Sequence, residues 1–139
     1  MIRVQQQDFD LSAEYSKLIK DNQTDGAVVT FCGLVRDFNQ GHDIKGLTLE
    51  HYPAMTQKAL EKIEATAREK WALGRVTIIH RVGALDLGDQ IVFVGVTSRH
   101  RKDAYAASQF IMDTLKTEAP FWKKERTSQG ERWVESEML

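Results

Sequence analysis

The spacing of apolar positions changes period several times along the chain, and each change predicts an element. Ile2 and Val4 alternate with polar neighbours, the mark of a short strand. Leu11, Tyr15, Leu18 and Ile19 recur at helical spacing, and Asp10 or Ser12 can cap that helix. Residues 21–26 are turn chemistry. Residues 27–35 are rich in β-formers and predict a buried strand, with Gly33 marking a bulge or a close backbone approach. Residues 36–46 read as a polar loop, a candidate mobile segment, and residues 47–52 alternate as a strand. A long helix follows from Pro53. Met55, Ala59, Ile63, Ala67 and Trp71 repeat every four residues as its core stripe, Glu64 and Arg68 can pair on the far face, and Gly74 is placed to end it.

Residues 75–82 and 90–98 are the two clearest strands, joined by a hairpin-length loop over 83–89. A second main helix spans 102–116 with Ala104, Ala107, Ile111 and Leu115 facing inward, and Pro120 stops it. Residues 121–126 and 132–135 flank a turn containing Gly130, a terminal hairpin. No linker, repeat or low-complexity tract interrupts residues 1–139, so one domain is expected. Strands that mostly pair with neighbours, two main inserted helices and a C-terminal hairpin predict an α+β fold built on an antiparallel sheet.

Composition narrows the setting. The longest apolar runs, such as residues 91–96, fall far short of the roughly 20 residues of a spanning helix. Met1-Ile2-Arg3-Val4-Gln5 lacks the basic-then-apolar layout of a signal peptide, and a single cysteine, Cys32, makes no internal disulfide. A cytoplasmic location with no membrane partner is expected. The net charge is −1, yet residues 99–126 carry seven Lys/Arg against four Asp/Glu. That local basic surface suits a small anion or an acidic partner better than a long nucleic acid.

The candidate chemistry follows from that basic region. His42, His51, His80 and His100 lie 9, 29 and 20 residues apart, and none forms the close pair of a zinc motif, so no metal is expected. Cys32, inside a predicted buried strand, reads as a small core residue. Arg36 opens a loop at a strand end. His100 and Arg101 sit where a strand turns into a helix, which is either an anion site at a helix N-terminus or a solvated charged turn. Lys116 ends a helix, where its charge already suits the dipole. Lys123 follows Pro120-Phe121-Trp122 and is either structural or a lysine whose pKa is lowered by rings and other cations. Phe121, Trp122, Lys123 and Lys124 also match the interleaving of single-stranded nucleic-acid grooves, or simply pack in the core.

Several blocks in order carry a resemblance. They are Asp25-Gly26-Ala27-Val28-Val29-Thr30-Phe31, Gly33, Val35-Arg36, Leu47-Thr48-Leu49-Glu50-His51-Tyr52-Pro53, Leu73-Gly74-Arg75-Val76 and Ile79-His80-Arg81-Val82-Gly83. Gly88-Asp89, residues 91–96, Ser98, His100-Arg101, residues 109–113, Leu115-Lys116-Thr117 and Ala119-Pro120-Phe121-Trp122-Lys123 continue the series. From about Phe9 to Glu135 the chain resembles the large subunit of molybdopterin synthase. The resemblance implies an α/β-hammerhead-like fold and a sulfurtransferase of molybdenum cofactor biosynthesis. The family moves two sulfurs from the C-terminal glycine thiocarboxylate of a small ubiquitin-like subunit to cyclic pyranopterin monophosphate, with no cofactor and no catalytic cysteine. It also implies a homodimer at the centre of a heterotetramer. By matching position, Lys116 and Lys123 are the implied catalytic residues. Arg36, His100 and Arg101 bind the anionic precursor, and Lys124 and Glu125 adjoin the pocket. Leu34 stands where some relatives carry a basic residue, and some relatives have a longer basic tail. The alternative is a non-catalytic module that binds single-stranded nucleic acid in the same groove; a third reading is a scaffold for the ubiquitin-like partner.

Overall fold

The computed structural model describes residues 1–37 and 44–134. Part of the predicted polar loop, with His42, and the last predicted strand residue, Glu135, lie outside the described residues. In chain order the elements are β1 (Ile2–Gln5), α1 (Leu11–Ile19), β2 (Ala27–Leu34), β3 (Ile44–His51), α2 (Pro53–Lys70) and β4 (Val76–Arg81). They continue with β5 (Gly83–Asp86), β6 (Gln90–Ser98), α3 (Arg101–Glu118), β7 (Phe121–Thr127) and β8 (Gly130–Val134). The fold is α+β, as predicted, with the strands divided between two four-stranded sheets ordered β1-β4-β6-β2 and β5-β3-β7-β8. Every pairing is antiparallel except β1 with β4, which is parallel.

The apolar runs of β4 and β6 are buried almost throughout because these are the two inner strands of the first sheet. One face packs against α2 and α3, whose Leu60, Ile63, Ala67, Ala107, Ile111 and Leu115 join Ile78, Val94 and Val96 in the main core. The same cluster takes in Leu47, Leu49, Leu85 and Phe121 of the second sheet, so the two sheets and both long helices share one interior. The other face carries Leu18 of α1 with Phe9, Ile79 and Phe93. Asp10 caps α1 through its carboxylate, which accepts from the Ser12 and Ala13 amides. Arg75 closes the opposite end by donating to the carbonyls of Lys17, Leu18 and Lys20 at 2.9, 3.2 and 2.7 Å.

Several expectations are corrected. The buried stripe of α2 is Thr56, Leu60, Ile63 and Ala67, while Met55 is exposed. Strict four-residue steps drift around a helix of 3.6 residues per turn, and only the mixture of three and four stays on one face. On α1, Leu18 is buried but Leu11, Tyr15 and Ile19 are exposed. The loop over 83–89 contains β5. At φ +86°, Gly83 lets the chain leave the first sheet and pair Leu85 with Leu47 in the second. β2 is an edge strand rather than a buried one, so Phe31 and Leu34 are exposed and Cys32 is half-buried. Gly74 lies three residues beyond the α2 C-cap, Trp71, and is needed for a close approach. A Cβ there would stand 2.0 Å from Asp25 Oδ2 and 2.6 Å from Thr97 Oγ1.

Candidate active site

β2, β4, β6 and α3 enclose a cavity of about 240 Å³ lined by Phe31, Cys32, Gly33, Leu34, His80, Ile91, Val92, Met112, Leu115 and Lys116. Its walls are mostly apolar. Lys116 enters from the last turn of α3, exposed to solvent and in the position the helix dipole favours. Pro120 ends that helix, and the chain turns directly into β7.

Alternation along β7 then sorts the side chains. Phe121, Lys123 and Glu125 are buried, whereas Trp122 is exposed and Lys124 half-buried. Lys123 is only 2% exposed, in register with Leu49 on one side and Val134 on the other. Phe121 stacks on His80 with ring centroids 4.0 Å apart. Glu125 is fully enclosed: its Oε2 accepts from Arg132 Nε at 2.7 Å, and its Oε1 has no hydrogen-bond partner among the described residues.

His80 occupies β4 at the cavity wall and is 1% exposed. Its Nδ1 donates to the Arg81 carbonyl at 2.8 Å. A carbonyl can only accept, so the proton of the neutral ring sits on Nδ1 and Nε2 keeps its lone pair. Burial pushes the imidazole pKa down to about 4, with the charges of Lys123 and His51 adding to the effect and the Arg81 hydrogen bond opposing it. His51 also titrates lower than usual because it is partly buried, and its Nδ1 lies 3.2 Å from Thr56 Oγ1. Cys32, half-buried, packs against the smaller core cluster of Phe9, Leu18, Ile79 and Phe93 and also lines the cavity. Burial, reinforced by the Asp8 charge, pushes its thiol pKa up, so the thiolate that a nucleophile requires is disfavoured.

The remaining candidates are placed differently. Arg36 is exposed two residues beyond the cavity-lining Leu34. Lys124 lies away from Lys123, its ammonium 4.5 Å from the Trp133 ring centre, 3.6 Å from Glu50 and 4.0 Å from Glu131. His100 and Arg101 are exposed at the first turn of α3 while Lys116 is in its last. Fifteen residues of helix separate Arg101 from Lys116 by about 22 Å. The fold therefore brings Lys116 and Lys123 to the His80 region, holds Glu125 against Arg132, and leaves His100 and Arg101 at the far end of a rod.

Two residues here escaped sequence reading. His80 had a faint signal, a polar residue within an apolar strand. Arg132 had one only in the hairpin register, which sets it opposite Glu125. Among the described residues, no three His, Cys, Asp or Glu side chains cluster to hold a metal. No helix among them is long and apolar enough to cross a membrane.

An apolar-walled cavity with the Lys116 ammonium at its edge, and the enclosed Lys123 acting on its His80 wall, gives this α+β protein a pocket suited to a small anion. The family model described as MoaE protein matches residues 4–118. Over 128 residues the chain is 62% identical to the molybdopterin synthase catalytic subunit of Salmonella typhimurium, covering 92% of this chain and 85% of that relative. It is 59% identical over 130 residues to the subunit of the same name from Escherichia coli K12, covering 94% and 86%. The molybdopterin biosynthesis MoaE protein from Burkholderia ambifaria superposes with a TM-score of 0.85 at 51% identity, over 100% of this chain and 91% of that one. The crystal structure of molybdopterin synthase from Staphylococcus aureus gives 0.87 at 34% identity, over 95% of each. The chain belongs to the MoaE family.

Proposed function

We propose that this chain is the catalytic subunit of a cytoplasmic molybdopterin synthase. It transfers sulfur from the C-terminal thiocarboxylate of a small ubiquitin-like carrier to cyclic pyranopterin monophosphate, and Lys116 and Lys123 serve the transfer. The observation that carries this reading is an exposed lysine, Lys116, at an apolar-walled cavity whose wall residue His80 feels the charge of a second, enclosed lysine, Lys123, beside a thiol held protonated. The reaction brings a thiocarboxylate up to a substrate that already bears a phosphate. Two like charges about 4 Å apart repel by roughly 4 kcal/mol at an effective dielectric near 20. An ammonium between them turns that repulsion into attraction. Sulfur can then come from the carrier, so no cysteine of this chain is required.

The separation of Arg101 from Lys116 shapes the assembly. A helix length of about 22 Å is too great for one small pterin to touch both ends. His100 and Arg101 therefore reach a precursor only if they serve the cavity of a second protomer, with Arg36 acting in its own. The exposed Phe31 and Leu34 on the β2 edge support such a dimer, since an apolar edge strand calls for cover. The nucleic-acid reading has less in its favour, because Lys124, the cation beside Trp122, is already engaged by Glu50 and Glu131.

The test is reconstitution from the purified chain, thiocarboxylated carrier and precursor, with molybdopterin as the readout. Lys116→Ala and Lys123→Ala should each lower the rate by about 100-fold or more. Mixing Lys116→Ala with Arg101→Ala subunits should restore activity, because one site of each mixed dimer regains both residues. Full activity in both lysine variants would overturn the assignment. Failure of the mixture to complement would return Arg101 to a role within its own protomer.

A further inference from the structure

His80 is a costly residue for its position. β4 is an inner strand, and a valine or isoleucine there would pack with no polar atom to satisfy. The fold instead holds an imidazole rigidly. Nδ1–H is tied to the Arg81 carbonyl, and the ring is clamped against Phe121. One tautomer is thereby selected, and Nε2 is the ring's hydrogen-bond acceptor. Lys123 shares the buried face of β7 with Phe121, the ring stacked on His80, so its charge and that of His51 on β3 act on the imidazole, while Lys116 of α3 and Cys32 of β2 line the same cavity as the ring. A protonated ring would add a third cation beside two lysines, whereas a neutral one supplies a lone pair without charge.

We infer that His80 is a positioning residue for sulfur transfer: its Nε2 accepts a hydrogen bond from the Lys123 ammonium and holds that group toward the cavity. This rests on the synthase reading above and adds a residue to it. Removing the acceptor should leave ligand binding intact and misplace the reacting cation, an error that costs one to two powers of ten in rate.

The experiment compares wild type, His80→Phe and His80→Gln in the reconstituted synthase. Phenylalanine keeps a ring against Phe121 but removes both nitrogens, while glutamine returns an acceptor near the Nε2 position. In His80→Phe, kcat should fall about 10- to 100-fold with KM for the precursor within about twofold. The alkaline limb of its kcat–pH profile should move to lower pH, because an ammonium that loses its acceptor gives up its proton more readily. His80→Gln should recover part of the rate and of the profile. A His80→Phe enzyme with wild-type kcat and pH profile overturns the inference and leaves the synthase reading standing. Equal losses in both variants, in proportion to unfolded protein, reduce His80 to a structural role and also overturn it. If His80→Phe does not fold, a glutamine variant with an unchanged profile and normal kcat supports the acceptor role, and an inactive but folded one overturns it. Wild-type protein that makes no molybdopterin removes both readings together.

Discussion

Arg132→Met should expose how much of the β7–β8 hairpin depends on neutralising Glu125. The carboxylate is 0% exposed, and the Arg132 guanidinium meets its Oε2 at 2.7 Å. Removing one partner of a fully buried ion pair typically costs about 3–5 kcal/mol. The Arg132 side chain is 38% exposed, however, so water already screens its half of the pair. A loss of about 2–3 kcal/mol is therefore expected. Glu125→Gln keeps the shape and removes the charge, and should cost less, about 1–2 kcal/mol. The double variant should be more stable than the two losses added together predict, by about 1–2 kcal/mol, because no buried charge is left uncompensated. Urea denaturation of all four proteins at pH 7, with slopes compared to check two-state behaviour, measures the cycle. The reasoning fails if Arg132→Met lies within about 0.5 kcal/mol of wild type, or if the two substitutions are additive.

Two further predictions concern the wider fold. His80 binds its proton with a pKa near 6.5 when unfolded and about 4 when folded, so between these values the unfolded chain holds more protons. Stability should be full above pH 6.5 and decline as pH falls toward 4, by about 3 kcal/mol in all, with His51 acting in the same direction. Urea midpoints from pH 7.5 to 4.5 test this, and the decline should be clearly shallower in His80→Phe. Gly74→Ala forces a methyl against Asp25 and Thr97, and should cost about 1–3 kcal/mol, read as a lower thermal midpoint.

Where local rules and tertiary environment agree, the sequence was readable. Ala104, Ala107, Ile111 and Leu115 show the mixed three- and four-residue spacing that keeps one face inward, and all four are buried in α3. The terminal hairpin was legible from its turn, with Thr127 opposite Gly130. β5 was not, because four residues carry little periodicity and their pairing partner, β3, lies far back in the chain. The exposure of β2 was hidden for a related reason: β-formers announce a strand but not whether both of its edges are paired. At the candidate site, Lys116 and Lys123 were singled out by the family resemblance. The enclosure of Lys123 depended on which face of β7 meets the core. The distance between Arg101 and Lys116 was implicit in the helix length and needed only a rise per residue.

α3 also constrains how the chain can change length. Its two ends each present a functional candidate, and only rigid helix connects them. A single inserted residue between Arg101 and Lys116 would lengthen the rod by about 1.5 Å and rotate one end relative to the other by about 100°. Substitutions on its solvent face leave that gauge untouched, while any insertion or deletion resets it. Variation in length is accordingly cheap in the turn at Ser128 and Gln129 and prohibitive in α3, so an alignment gap there would mark a protein whose two helix ends no longer keep this spacing and orientation.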